Sequence, residues 1–138
     1  MLKKQIDEDI AELNICFNNG AYKATLILAG SVMEAILIDW LSEIRGIDYF
    51  QQDLLINRYN PKNNRYEKVR ADLAGYIDEI KEIKKPAWMK EWSDAHEIRK
   101  KRNLVHAKLC LKESENIDEA MCRTVISYLK SIIDSRWQ

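Results

Sequence analysis

The sequence predicts an all-α fold, an up-and-down bundle of four to five helices in a single domain spanning residues 1–138. Three observations carry that expectation. Apolar residues recur at steps of three and four along most of the chain, no segment shows convincing strand alternation, and the breaks between periodic stretches hold Gly, Pro and Asn. There is no internal repeat and no low-complexity tract.

The first helix is read over residues 5–18, where Ile6, Ile10, Leu13 and Phe17 follow one another at spacings of four, three and four, and Asn18-Asn19-Gly20 ends it. The most apolar stretch runs from Ala21 to about Ile44, with Arg45-Gly46 as last-turn cation and C-terminal glycine. Apolar on most sides, it is the expected central helix. Gly30 and Ser31 within it suit either a close approach of another backbone or ordinary local packing. Glu34, set among Val32, Met33, Ala35, Ile36 and Leu37, is costly to bury alone. It therefore either lies on a wetter edge or meets a cation, with Arg99 or Arg102 the candidate partners.

Residues 47–65 lose the periodicity, and Asn57, Asn60, Pro61, Asn63 and Asn64 punctuate them, which predicts a loop with one short helix at most. The helical period returns from Tyr66 through Val69, Leu73, Tyr76, Ile77, Ile80 and Ile83, and Lys84-Lys85-Pro86 closes that third helix. A fourth helix begins after Pro86 with Trp88 and Trp92 four apart. Two tryptophans so spaced suit stacking on bases or packing on the core, and packing is the preferred reading. Residues 107–116 read as a connection, after which Asn116 stands where it can cap a fifth helix, with Glu119 completing a near capping box. Ile117, Met121, Val125, Tyr128 or Leu129, and Ile132 form its inner face.

Composition narrows the function classes. Lys plus Arg equals Asp plus Glu at 22 each, so no global field attracts nucleic acid and any such binding must come from a local patch. Three cysteines, Cys16, Cys110 and Cys122, form no C-x-x-C pair and no even framework, which fits a reducing cytosol. The N-terminus turns acidic and polar at once instead of forming a signal core, and the apolar run from Thr25 to Leu41 is broken by Glu34 and Asp39. A soluble, cytoplasmic protein with no membrane partner is expected.

The local patch is Glu97 to Lys108, where Arg99, Lys100, Lys101, Arg102 and Lys108 stand against Glu97 alone, a local charge of +4. In a helix, Arg99, Arg102, Asn103 and His106 fall at i, i+3, i+4 and i+7 and share a face. Ala95, Ile98, Val105 and Leu109 form a neighbouring apolar stripe that would hold the helix to the core. An imidazole titrates near neutrality and can take and give a proton. A guanidinium fits phosphate oxygens and stabilises charge developing on phosphorus, so the pair suits phosphodiester chemistry. Basic helical faces are nonetheless most often solvated surface. No metal site is expected, because His96 and His106 lack a third ligand at a recognisable spacing, and no cofactor is implied.

The text Ile98-Arg99-Lys100-Lys101-Arg102-Asn103-Leu104-Val105-His106 resembles the signature of the HEPN superfamily (higher eukaryotes and prokaryotes nucleotide-binding domain): an arginine, four to six residues, then a histidine. Arg99 and His106 enclose six residues, the long form, in the bacterial small-protein manner. The stretch from Ala21 to Leu37 is similar to the long second helix of bacterial members, and the likeness spans nearly the whole chain. Lys100 departs from the Asn, Asp or His usual after the motif arginine, whereas Asn103 does follow Arg102, so spacing points to Arg99 and the Arg-Asn pair to Arg102.

The resemblance implies a HEPN-like bundle, a homodimer with both motif faces lining one cleft and, in active members, metal-independent RNA cleavage. Arg99, His106 and Asn103 would be catalytic, Arg102, Lys100, Lys101 and Lys108 would bind substrate, and Glu34 would give structural support. It further implies toxin-antitoxin or phage-defence settings, an antitoxin or small nucleotidyltransferase as partner, and, for other members, a noncatalytic module binding a nucleotide or a protein.

Overall fold

The apolar stretch after Gly20 imposes the strongest packing demand, and the chain meets it by surrounding one helix with four others. A computed structural model describes residues 2–84, 87–106 and 116–137. In order these form α1 (Leu2–Asn18), α2 (Tyr22–Arg45), β1 (Leu55–Asn60), β2 (Arg65–Arg70), α3 (Leu73–Lys84), α4 (Met89–Asn103) and α5 (Glu119–Trp137). Lys85 and Pro86, expected to close α3, and Lys108, Leu109 and Cys110 on the expected connection lie outside the described residues.

Helix α2 is the centre. Leu26, Ala29, Val32, Met33, Ile36, Leu37, Trp40 and Leu41 are buried along it, and α1, α3, α4 and α5 all pack against it. Each fully buried Leu, Ile or Met of this kind contributes about 1.5–3 kcal/mol of transfer free energy. Among the described residues α2 alone is long and apolar enough to cross a membrane by length and composition, and most of its apolar surface is covered by its neighbours. It ends where Gly46 takes a left-handed φ of 67° and returns its N–H to Ser42 O at 2.8 Å, a conformation that glycine adopts without a Cβ penalty.

The covering helices present the faces their periodicity requires. Ile6 and Leu13 are buried on α1 with Ile10 and Phe17 packed alongside, and Cys122, Val125, Leu129 and Ile132 are buried on α5. Leu129, and not Tyr128, takes the inner position. Ala95 and Ile98 anchor α4, and beyond its end Leu104 is buried while Val105 is only partly so. Trp88 precedes α4 and is buried edge-to-face against Trp40 with ring centroids 5.7 Å apart.

Two expectations are corrected. Residues 55–70 form an antiparallel hairpin in place of a loop and the start of a helix, with Leu55 opposite Arg70, Ile56 opposite Val69 and Tyr59 opposite Tyr66. Tyr66 and Val69 fall by chance seven and four positions before Leu73, which extended the apparent helical period backwards into a strand. Of the Asn-rich punctuation, Pro61, Asn63 and Asn64 make the hairpin turn, where Asn64 adopts a φ of 50°, while Asn57 and Asn60 lie on β1. The fold is thus mostly helical with one two-stranded sheet, and α3 begins only at Leu73. The second correction is at α5: the cap is Asp118, whose Oδ1 accepts the Met121 N–H at 2.9 Å, and not Asn116.

Asp72 joins hairpin to helix. Its Oδ1 accepts the Gly75 N–H at 2.9 Å, capping α3, and also meets Arg58 Nη2 of β1 at 3.1 Å. Burial alone would raise the Asp72 carboxyl, but Arg58 and the Gly75 N–H outweigh it and hold the group below its ordinary value. A carboxylate depressed in the folded state stabilises above its unfolded pKa, and that contribution is lost as pH falls through the folded one. Asp72→Asn keeps a capping oxygen but loses the charge. The stability gap between wild type and Asp72→Asn, measured by urea unfolding, should be full at neutral pH and close progressively below about pH 4.

Candidate functional site

Four consecutive cations end α4, and because successive residues step about 100° round a helix they cannot share one direction. Helix α4 lies against α2, α3 and α5, and its cations fan out among them. Arg99 turns towards α3, Lys100 stays exposed beside Glu97 at 3.3 Å, half-buried Lys101 borders a cavity against α5, and Arg102 turns to α2. The two candidate motif arginines therefore serve different neighbours.

Arg102 meets Glu34, with Nη1 3.4 Å from Oε2 and both side chains partly exposed. Of the two cations named as partners for Glu34, this one reaches it. The pair is worth about 0–1 kcal/mol in such a wet setting, so its use is to set direction more than to add stability. The stem of Arg102 lies across Gly30: a Cβ placed there would stand 2.3 Å from Arg102 Cδ and 3.0 Å from Cγ. Gly30 thus admits a side chain from α4, where a backbone approach was the sequence-based alternative to ordinary packing.

Arg99 belongs to a network that sequence reasoning missed. Its Nε–H donates to His96 Nδ1 at 3.2 Å, and His96 Nε2 on the far side of the ring meets Asp78 Oδ1 at 2.9 Å. The same Asp78 oxygen accepts from Trp92 Nε1 at 2.9 Å, and Lys81 Nζ sits 4.1 Å from the centroid of the Trp92 ring. Trp92 and His96 meet edge-to-face at 5.2 Å. Both tryptophans are therefore committed to the fold, Trp88 in the core and Trp92 beside Asp78. The spacing of Trp92, His96 and Arg99 at i, i+4 and i+7 was legible, but the α3 carboxylate that ties them together was not.

His106 lies past the end of α4. Val105 N–H bonds to Arg102 O at 3.2 Å and His106 N–H to Asn103 O at 3.3 Å, a tightened turn in which residues three apart eclipse. Asn103 is half-buried, and His106 is exposed above it. The arrangement leaves an exposed His106 one tight turn past the end of α4, four residues after Arg102, with Arg99 a further turn back. His96 takes the Nε–H of Arg99, which leaves a phosphate free to be held through Nη1 and Nη2.

Among the described residues no three His, Cys, Asp or Glu side chains converge as a metal site would require. Cys16 and Cys122 are free thiols, and burial, with Asp118 nearby, pushes Cys122 up to about 11, which disfavours the reactive thiolate. Compared with family models, curated proteins and solved structures, the chain matches none.

The contact of Arg102 with Gly30 makes a coupling testable. Gly30→Ala should destabilise the wild-type chain by displacing the Arg102 stem, and most of that cost should disappear in an Arg102→Ala background, where only the Cβ at 3.3 Å remains opposite the added methyl. A double-mutant cycle from denaturant unfolding reads the coupling, and equal effects in both backgrounds would show that Arg102 does not lie over Gly30.

Proposed function

We propose that the protein is a metal-independent endoribonuclease of the HEPN type, acting in the cytoplasm as a homodimer with a composite Arg/His site, in a toxin-antitoxin or phage-defence role. The observation that carries this reading is the exposed His106 one tight turn beyond Arg102, itself braced by Glu34, in the most cationic helix end of a chain with no net charge. A two-fold axis would set one such end against its copy, giving two imidazoles per site and doubling the local +4 of residues 97–108.

One His106 would take the proton of a ribose 2′-hydroxyl and the other would protonate the leaving oxygen. Arg99 and Arg102 would offset charge developing on the phosphorane, with Asn103 donating beside them. Lys100, Lys101 and Lys108 would hold flanking phosphates. His96 and Asp78 act one step back, as positioning residues for Arg99. The internal 2′-hydroxyl as nucleophile restricts the chemistry to RNA. An antitoxin or a small nucleotidyltransferase is the partner that this role implies.

A second reading, a noncatalytic HEPN-type module binding a nucleotide or a protein, is favoured by one observation: both arginines are already hydrogen-bonded within the protomer, Arg99 to His96 and Arg102 to Glu34.

Incubation of purified protein with mixed RNA in EDTA separates the two. Cleavage by wild type that falls about 100-fold or more in His106→Ala supports the nuclease. Its absence, or equal cleavage by the variant, leaves the binding module. Arg99→Ala and Arg102→Ala, compared side by side, identify the motif arginine as the one whose loss lowers kcat by about 100-fold or more.

A further inference from the structure

The hairpin is a second cationic locus. Residues 55–70 hold Arg58, Lys62, Arg65, Lys68 and Arg70 against Glu67 alone, again a local charge of +4 in a neutral chain. Strand pairing sorts these residues by face. Leu55, Asn57 and Tyr59 of β1 stand opposite Arg70, Lys68 and Tyr66 of β2, and all six are exposed. Within residues 55–70 no carboxylate belongs to that face, where only Asp53 from before β1 reaches Arg70 at its far end; Glu67 alternates to the other side, where it accepts from Asn60 Nδ2 at 3.0 Å and Asn63 Nδ2 at 2.7 Å and so braces the turn. Those two bonds, followed by one from Arg65, hold the Glu67 carboxyl below its ordinary value.

The two tyrosines are unusual as surface residues. Tyr66 is 73% exposed and Tyr59 46%, and they meet edge-to-face at 5.5 Å, a pairing that leaves ring faces open to a further planar group. The Tyr59 hydroxyl bonds to Asn64 and fixes its ring over the turn. About 13 Å down the same face, four residues at strand rise, Arg70 pairs with Asp53 at 3.3 Å and lines a polar cavity of about 250 Å³. Glu34, the residue that braces Arg102, lines that cavity too. Arg70, at the far end of the face that carries the tyrosine pair and Lys68, thus lines the same cavity as the partner of a candidate motif arginine.

We propose that this outer hairpin face binds single-stranded RNA, with unpaired bases stacking on Tyr59 and Tyr66 and the backbone tracked by Lys68 and Arg70 towards the Glu34–Arg102 pair. It rests on the proposed function only for the choice of RNA as ligand. Stacking on aromatic rings beside cations that neutralise phosphates is the general means by which unpaired strands are held without reading sequence.

The test uses the full chain carrying His106→Ala, in EDTA, with a fluorescein-labelled oligouridylate of about 12 nucleotides followed by anisotropy. Tyr59→Ala/Tyr66→Ala should weaken binding about tenfold or more. Tyr59→Phe/Tyr66→Phe, which keeps the rings, should bind as the parent does, and Lys68→Glu should weaken binding and reduce its salt dependence. Circular dichroism melts confirm that each variant is folded. Unchanged binding by the alanine pair, an equal loss in the phenylalanine pair, or binding of blunt duplex RNA as tight as of the single strand overturns the proposal. The two readings fail separately. Hairpin-dependent binding with no wild-type cleavage keeps the hairpin and removes the nuclease, while His106-dependent cleavage whose KM ignores the tyrosines does the reverse.

Discussion

Burial of α2 is the constraint on which the rest of the structure depends. A helix apolar on most sides needs neighbours on most sides, and α1, α3, α4 and α5 supply them. That enclosure decides where α4 lies, between α2, α3 and α5, and hence where each of its terminal cations finds a partner. The site is a consequence of the core.

Glu34 is the polar break in that apolar helix, and it shows how packing turns a local cost into an arrangement. A carboxylate on the α2 surface draws Arg102 across from α4, and the crossing succeeds because residue 30 has no Cβ for the arginine stem to strike. Arg99 is drawn the other way by His96, which Asp78 of α3 holds in turn. Neither interaction is strong in free energy at this exposure. Together they separate two arginines that lie only three residues apart, which gives the Arg99 and Arg102 versions of the motif distinct environments and a physical basis for distinct effects.

Helices were legible where one face is apolar, and the hairpin was not, for the same reason. On β1 and β2 only Ile56 packs against the core, opposite a half-buried Val69, so strand alternation is almost absent from the text. Its stability comes from cross-strand and turn contacts such as Tyr59 with Tyr66 and Asn60 with Glu67, pairs seven residues apart whose partnership neither a helical nor an alternating period reveals. The missed Asp78 is of the same kind, a residue on one helix whose meaning depends on the helix packed beside it.

By itself the sequence determined the five helical stretches, the central place of α2, the glycine that ends it and the +4 cluster on α4, because periodicity, caps and charge are local properties written in order along the chain. It also narrowed the partner of Glu34 to two arginines. Only the tertiary structure decided between Arg99 and Arg102 as the partner of Glu34, joined Asp78 to His96, and turned three residues of a punctuated loop and three from the expected start of a helix into one exposed face bearing two tyrosines. Those outcomes depend on which elements touch, and contact between elements is fixed by the burial of α2, far in sequence from the residues it arranges.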